Sequence, residues 1–267
     1  IVPYYRDEMG LDFQAFLIGE AFFAATVVLL EVPTGWISDV WKRKHVLLLA
    51  ALVEMIGYSC LLFGKGLVWA IVAQSIIGVA ISLISGTNTS MLYDTLLSAN
   101  REGEFRQCEG KRAGSGFYSI SCASIASGFV YAYDHKLAVL LSVLAIFGSL
   151  LMAFFMEEPS RHKRAPEKHP IADMVETARY ALHGHAEIGV IILFASVLFC
   201  STKMIMWSQQ PYYIAVGIPE TYFGMLMAAG FFLAGMSSQL GHRLDGKDSS
   251  IKALAVVWVI AILVCLG

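Results

Sequence analysis

Eight stretches of roughly 18 to 25 residues, each almost free of charge, divide this chain: about 13–35, 46–63, 67–93, 115–133, 137–156, 188–212, 221–240 and 251–267. A helix rises about 1.5 Å per residue, so each stretch is long enough to cross the hydrocarbon core of a bilayer. Backbone polar groups find no water in that core, and a helix satisfies them all within one segment. An all-α integral membrane bundle is therefore expected. Composition agrees, with 57% of the 267 residues apolar and 15% charged, against about half and a quarter in soluble domains. This excludes a soluble enzyme. The net charge of −2 supplies no basic field to attract nucleic acid. The five cysteines show no metal-ligand or C-x-x-C spacing, and four of them lie inside apolar blocks. They read as small core residues, with neither a metal nor a cofactor expected.

No basic region or initiator Met precedes the first block, so it does not read as a cleaved signal peptide. The last block is still apolar at Gly267, and Ile1–Tyr5 reads as the tail of an earlier element. A piece of a longer chain is the expectation.

Orientation in a membrane follows Lys and Arg. The alternate loops 41–45, 97–113, 157–187 and 241–252 hold 15 of the 19 basic residues, and the intervening loops hold three. The basic loops are therefore expected on the cytoplasmic side, with Ile1 outside. Loop 157–187 is the evident internal boundary. It begins with the charged, proline-containing EEPSRHKRAPEKHP and continues with IADMVETARYALHG. In the second part Ile171, Met174, Val175, Ala178, Ala181 and Leu182 recur at helical spacing, which predicts a short amphipathic helix at the membrane surface. The organisation expected is a first transmembrane half over 1–156, a linker over 157–187 and the start of a second half over 188–267.

An internal repeat supports two halves. The first block ends in EVPTGWISDVWKRK and the seventh in FLAGMSSQLGHRL. An offset of 200 residues places Gly35 on Gly235, Asp39 on Gln239 and Arg43 on Arg243. Parallel halves of this kind are one recurrent membrane-carrier architecture, with the solute site near midplane between them.

EVPTGWISDVWKRK also resembles the loop motif between spans two and three of the major facilitator superfamily, roughly G-x-x-x-D-R-x-G-R-R. Gly35, Asp39, Arg43 and Lys44 match it, while Val40 and Lys42 depart. SMLYDTLL resembles the end of the fourth helix in many members, and WSQQPYYIAVGIPETYFG resembles the seventh helix and the turn after it. The resemblance covers essentially the whole chain. It implies a helical bundle of two pseudo-symmetric halves, incomplete here, running from the end of span one to part of span nine of twelve. It also implies that Asp39, Arg43 and Asp94 belong to a charge cluster that latches the halves on the cytoplasmic side. From spacing alone, Asp39 and Arg43 could pair one turn apart if the helix continues, and Gly35 would admit a neighbouring helix closely. Ordinary interfacial charge is the other reading of these residues.

Charges deep in a span are costly and point to function. Glu20 lies roughly 10 Å from the start of its block at helical rise, towards midplane, and Glu31 follows three turns later on nearly the same face. Lys203 is also near midplane, about 13 residues before the turn at Gly217. A pair between Glu20 and Lys203 would unite the halves. Glu20 is a candidate for coupling to protons or another cation; the alternative is a carboxylate simply hydrogen-bonded to polar neighbours. For Glu31 a structural or gating role is expected. Gln74 stands where drug:proton antiporters of the superfamily often carry an arginine, and the antiporter G-P-x-x-G-G pattern is unmet by ASIASG at Ala123–Gly128. Trp207, Gln209 and Gln210 are candidates to line a cavity, whereas Tyr212 and Tyr213 read as an interfacial belt.

These features predict a secondary active transporter of a small organic solute or drug, working by alternating access. Energy would come from an ion gradient, most simply protons, because no P-loop is present. Efflux is slightly favoured over uptake. A membrane enzyme is disfavoured by the absence of HExxH and G-x-S-x-G, and a non-transporting sensor or scaffold of the same fold is the remaining class. The implied partners are the lipid bilayer, the solute and the coupling ion, and the implied location is a bacterial inner membrane.

Overall fold

The computed structural model describes residues 2–159 and 186–240. These form eight α-helices: α1 (Val2–Asp7), α2 (Phe13–Val40), α3 (Arg43–Phe63), α4 (Gly66–Ser98), α5 (Phe105–Tyr133), α6 (His135–Phe155), α7 (Ala186–Val216) and α8 (Phe223–Leu240). No strand occurs among the described residues. Seven of the eight predicted spans thus appear as helices, and Ile1–Tyr5, read as the tail of an element, falls largely in α1. The eighth span, the amphipathic helix expected over 171–182 and Arg243 lie outside the described residues. Several helices run past their apolar blocks, α2 to Val40 and α4 to Ser98, because helical hydrogen bonding continues where a terminal polar turn meets water.

The ends are set locally. Asp12 caps α2 by accepting from the Ala15 N–H at 2.8 Å, and Asp134 caps α6 by accepting from Lys136 and Leu137. Between α2 and α3 the backbone of Trp41 and Lys42 is extended, so one helix stops and another begins within two residues. α7 ends at Gly217, whose φ of 81° is the left-handed conformation that closes a helix. The Ile218 N–H returns to the Tyr213 carbonyl at 2.9 Å.

Five of the described helices are long and apolar enough to cross a membrane. Their large apolar side chains face outward as well as inward: Val28 is 72% exposed, Leu29 74% and Phe63 83%. In water such a surface would be untenable, but in lipid it costs nothing.

Two packing groups build the bundle. In the first, α4 lies against α2 and α3, and α3 against α6. In the second, α5 lies against α8. Small residues set the closeness of both. A side chain at Gly78 would meet the Phe23 carbonyl at 2.9 Å, which brings α4 onto α2. The Ala123–Gly128 stretch does pack tightly, with Gly128 and Ser124 against Gly224 of α8. One turn away the Ser121 hydroxyl donates to the Ala228 carbonyl at 2.8 Å. The apolar core gathers Tyr4, Tyr5, Met9 and Phe16 with Leu61, Ala70, Ala73 and Ile77.

Candidate functional site

α2 and α4 run parallel and in register. The Gln74 amide donates to Glu20 at 2.8 Å, and eleven residues further along both helices the Ser85 hydroxyl donates to Glu31 at 3.3 Å. The two carboxylates therefore share one face of α2, as their spacing predicts, and that face looks onto α4. Gly19 faces the same place, with Gln74 Cγ 3.4 Å from where a side chain would begin. The buried Tyr5 ring stands edge-on to Phe16 beside the same glycine.

α7 approaches this face from the other side. Trp207 meets Phe16 edge-to-face with ring centroids 6.5 Å apart. Three residues on, Gln210 accepts from the Val2 N–H at 3.1 Å and sends its amide towards Met227 of α8. One turn deeper than Phe16 on α2 is Glu20, and one turn deeper than Trp207 on α7 is Lys203. These two are near enough for their charges to act on each other, yet they form no ion pair. The Glu20 carboxylate is engaged by Gln74, and the Lys203 ammonium rests over the Phe199 ring, 5.6 Å from its centroid. Gln209 is half-buried and makes no hydrogen bond among the described residues.

At the end that carries the basic loops, the arrangement departs from the expected Asp39–Arg43 pair. The break at Trp41–Lys42 takes Arg43 into the first turn of α3, off the helix that carries Asp39. Arg43 is buried there, with Nη1 2.8 Å from Asp94 Oδ2, while Asp39 is exposed and forms no ion pair among the described residues. The contact joins α3 to α4 and so lies inside one packing group. Gly35 also differs from expectation, since a side chain there would meet nothing within 4 Å. α4 approaches α2 on another face, where Thr34 donates to the Ser82 carbonyl at 3.0 Å and Thr87 to the Ser38 hydroxyl at 3.0 Å. Lys44 lies over the Phe154 ring.

Glu158 completes this end and was not singled out from sequence. Its two carboxylate oxygens accept from the Arg43 and Lys44 backbone N–H groups, both at 2.9 Å. A carboxylate thereby satisfies the open N–H groups at the positive end of α3. The signal available was the acidic pair of EEP directly after an apolar block.

The opposite end holds a second cluster missed in the sequence, because its members lie far apart in it. Arg6 bonds Asp7 at 2.7 Å and Glu220 at 2.5 Å. The Tyr131 hydroxyl donates to Asp7 at 2.7 Å, and Glu8 faces His135 and Lys136. The Arg6 guanidinium, followed by the Tyr131 hydroxyl, holds the Asp7 carboxyl below the usual range.

The repeat positions are unequal in packing. A side chain at Gly235 would lie 2.6 Å from the Tyr118 ring, so the close helix approach expected at Gly35 occurs at its counterpart. Gln239, over Asp39 in the repeat, packs beside Gly114 of α5. Among the described residues no group of His, Cys, Asp and Glu is placed to hold a metal ion.

Comparison with curated proteins and with solved structures gave no match. The profile of the Major Facilitator Superfamily matches residues 1–267. Together with the helical bundle and its membrane-length helices, this establishes that the chain is an integral, multi-pass membrane protein belonging to the Major Facilitator Superfamily of secondary transporters.

Proposed function

We propose that the chain carries a small organic solute across a bacterial inner membrane by alternating access, coupled to protons through Glu20, with efflux ahead of uptake. Residues 1–156 and 188–267 act as the two moving halves, and 157–187 joins them on the cytoplasmic side. One observation carries this reading: Glu20, two turns into α2, is held by Gln74 and lies near Lys203 of α7 just below the contact between Phe16 and Trp207. A carboxylate at such a depth is costly in a purely structural role. A cationic neighbour favours its charged form and a proton its neutral form, so its charge can report on the state of the cavity. Glu31, Gln209 and Gln210 extend the polar lining towards either end, and Gly35, Asp39, Arg43, Lys44 and Asp94 gate the cytoplasmic end.

The test uses the full-length protein in proteoliposomes. Glu20→Gln is expected to keep solute exchange and lose accumulation driven by a proton gradient. A variant that still concentrates solute against its gradient would rule out the coupling role. The sign of the gradient that drives net flux distinguishes efflux from uptake.

A further inference from the structure

Phe199, Lys203, Trp207 and Gln210 follow one another along α7 at intervals of four, four and three residues, so they share one face of the helix. Its upper part is covered, because Trp207 meets Phe16 and Gln210 meets the Val2 N–H. Its lower part is less covered, and Phe199 is 64% exposed. Lys203 sits at the boundary. It is the first residue of this face below the closed contacts, near enough to Glu20 of α2 for its charge to be felt there.

The ammonium of Lys203 has an aromatic ring beneath it and no anion within ion-pair distance among the described residues. Glu20, the carboxylate across from it, already accepts from Gln74. A cation at this depth is stabilised by a directly bonded anion, and Glu20, although near Lys203, forms no ion pair with it. We infer that Lys203 is the anion-binding group of the solute site, so that the cargo carries a carboxylate or comparable organic anionic group. The flanking Phe199 and Trp207 rings suit an aromatic body attached to that group. This inference rests on the transport reading for its setting and names the charge class of the cargo.

Thermal unfolding of the detergent-purified full-length protein tests it, with benzoate, benzylamine and benzyl alcohol as probes at neutral pH. Benzoate alone is expected to raise the melting temperature. Lys203→Arg should keep the effect, and Lys203→Met should weaken apparent benzoate affinity at least about tenfold with little change in the unliganded melting temperature. If Lys203→Met does not fold, Lys203→Gln serves the same comparison. Stabilisation by benzylamine or benzyl alcohol instead, by none of the three, or by benzoate equally in Lys203→Met overturns the assignment. Counterflow in proteoliposomes separates this outcome from the parent reading. Benzoate binding without any counterflow sinks transport and spares the anion site, whereas counterflow of a cation unaffected by Lys203→Met does the reverse.

Discussion

The two ends of the bundle are held by different kinds of contact. At the basic end, Arg43 pairs with Asp94 and Glu158 caps α3, contacts within the first stretch of the chain, and beside them the Ser238 hydroxyl of α8 donates to the Gly110 carbonyl of α5. At the opposite end, Arg6 pairs with Glu220, Val2 with Gln210 and Phe16 with Trp207, and each contact joins the first stretch of the chain to the last described one. The Arg43–Asp94 and Glu158 contacts of the first end are largely buried, and they brace neighbouring helices of the first half. The second is partly exposed and long-range, with Arg6 47% exposed in its side chain. A carrier that alternates between two openings needs both properties: rigid bodies and a weak seam between them.

The largest effect expected from breaking this contrast is at Asp94. Asp94→Ala removes the carboxylate that lies 2.8 Å from the buried Arg43 guanidinium, and losing one member of a buried pair costs about 3–5 kcal/mol. Denaturant unfolding in detergent should show it, with Asp39→Ala nearly silent. Equal losses for the two would contradict the assignment of Arg43 to Asp94.

The repeat offers the next test. Gly235→Ala forces a methyl group against the Tyr118 ring and should destabilise by about 1–3 kcal/mol, whereas Gly35→Ala enters open space. In a helix interior alanine is favoured over glycine by about 0.5–1 kcal/mol, so the second substitution should stabilise. Melting temperatures that move in the same direction would mean that the two helix ends are packed alike. A smaller loss, about 1–2 kcal/mol, is expected for Glu158→Ala, the usual cost of removing a helix N-cap. Hydrogen exchange should then rise at the first turn of α3 and stay unchanged at α8.

The helices were legible because bilayer thickness writes itself into block length, and the family because Gly35, Asp39, Arg43 and Lys44 stand together in one short motif. Pairing was less legible. The Asp39–Arg43 spacing fits a helical pair only on an unbroken helix, and the extended Trp41–Lys42 link is decided by how α3 packs on α4 and α6. The Glu20–Gln74 bond joins residues 54 apart, and the Arg6–Glu220 pair joins residues 214 apart. No local pattern marks such partners. What the sequence did expose was the cost of charge in a span, which singled out Glu20 and Lys203 without revealing that Glu20 would bond Gln74.

The smallest effect is expected at the seam. Arg6→Ala removes a partly exposed ion pair, and such pairs contribute about 0–1 kcal/mol, so global stability should barely change. The same energy acts differently on a balance between two openings, where 1 kcal/mol is about a fivefold shift. A cysteine placed at Gln210 in a cysteine-free background should therefore label faster from the Arg6 side in Arg6→Ala, at unchanged melting temperature. Acid should not reproduce this through Asp7. Its carboxyl is held below the usual range by Arg6 and Tyr131, so its stabilising contribution is present above the unfolded value, about 3.9, and fades only as pH falls through the lower folded value. Labelling that accelerates between pH 7 and pH 5 in the wild type and not in Asp7→Asn would show that Asp7 titrates higher, and that its bonds to Arg6 and Tyr131 are looser than the geometry has them.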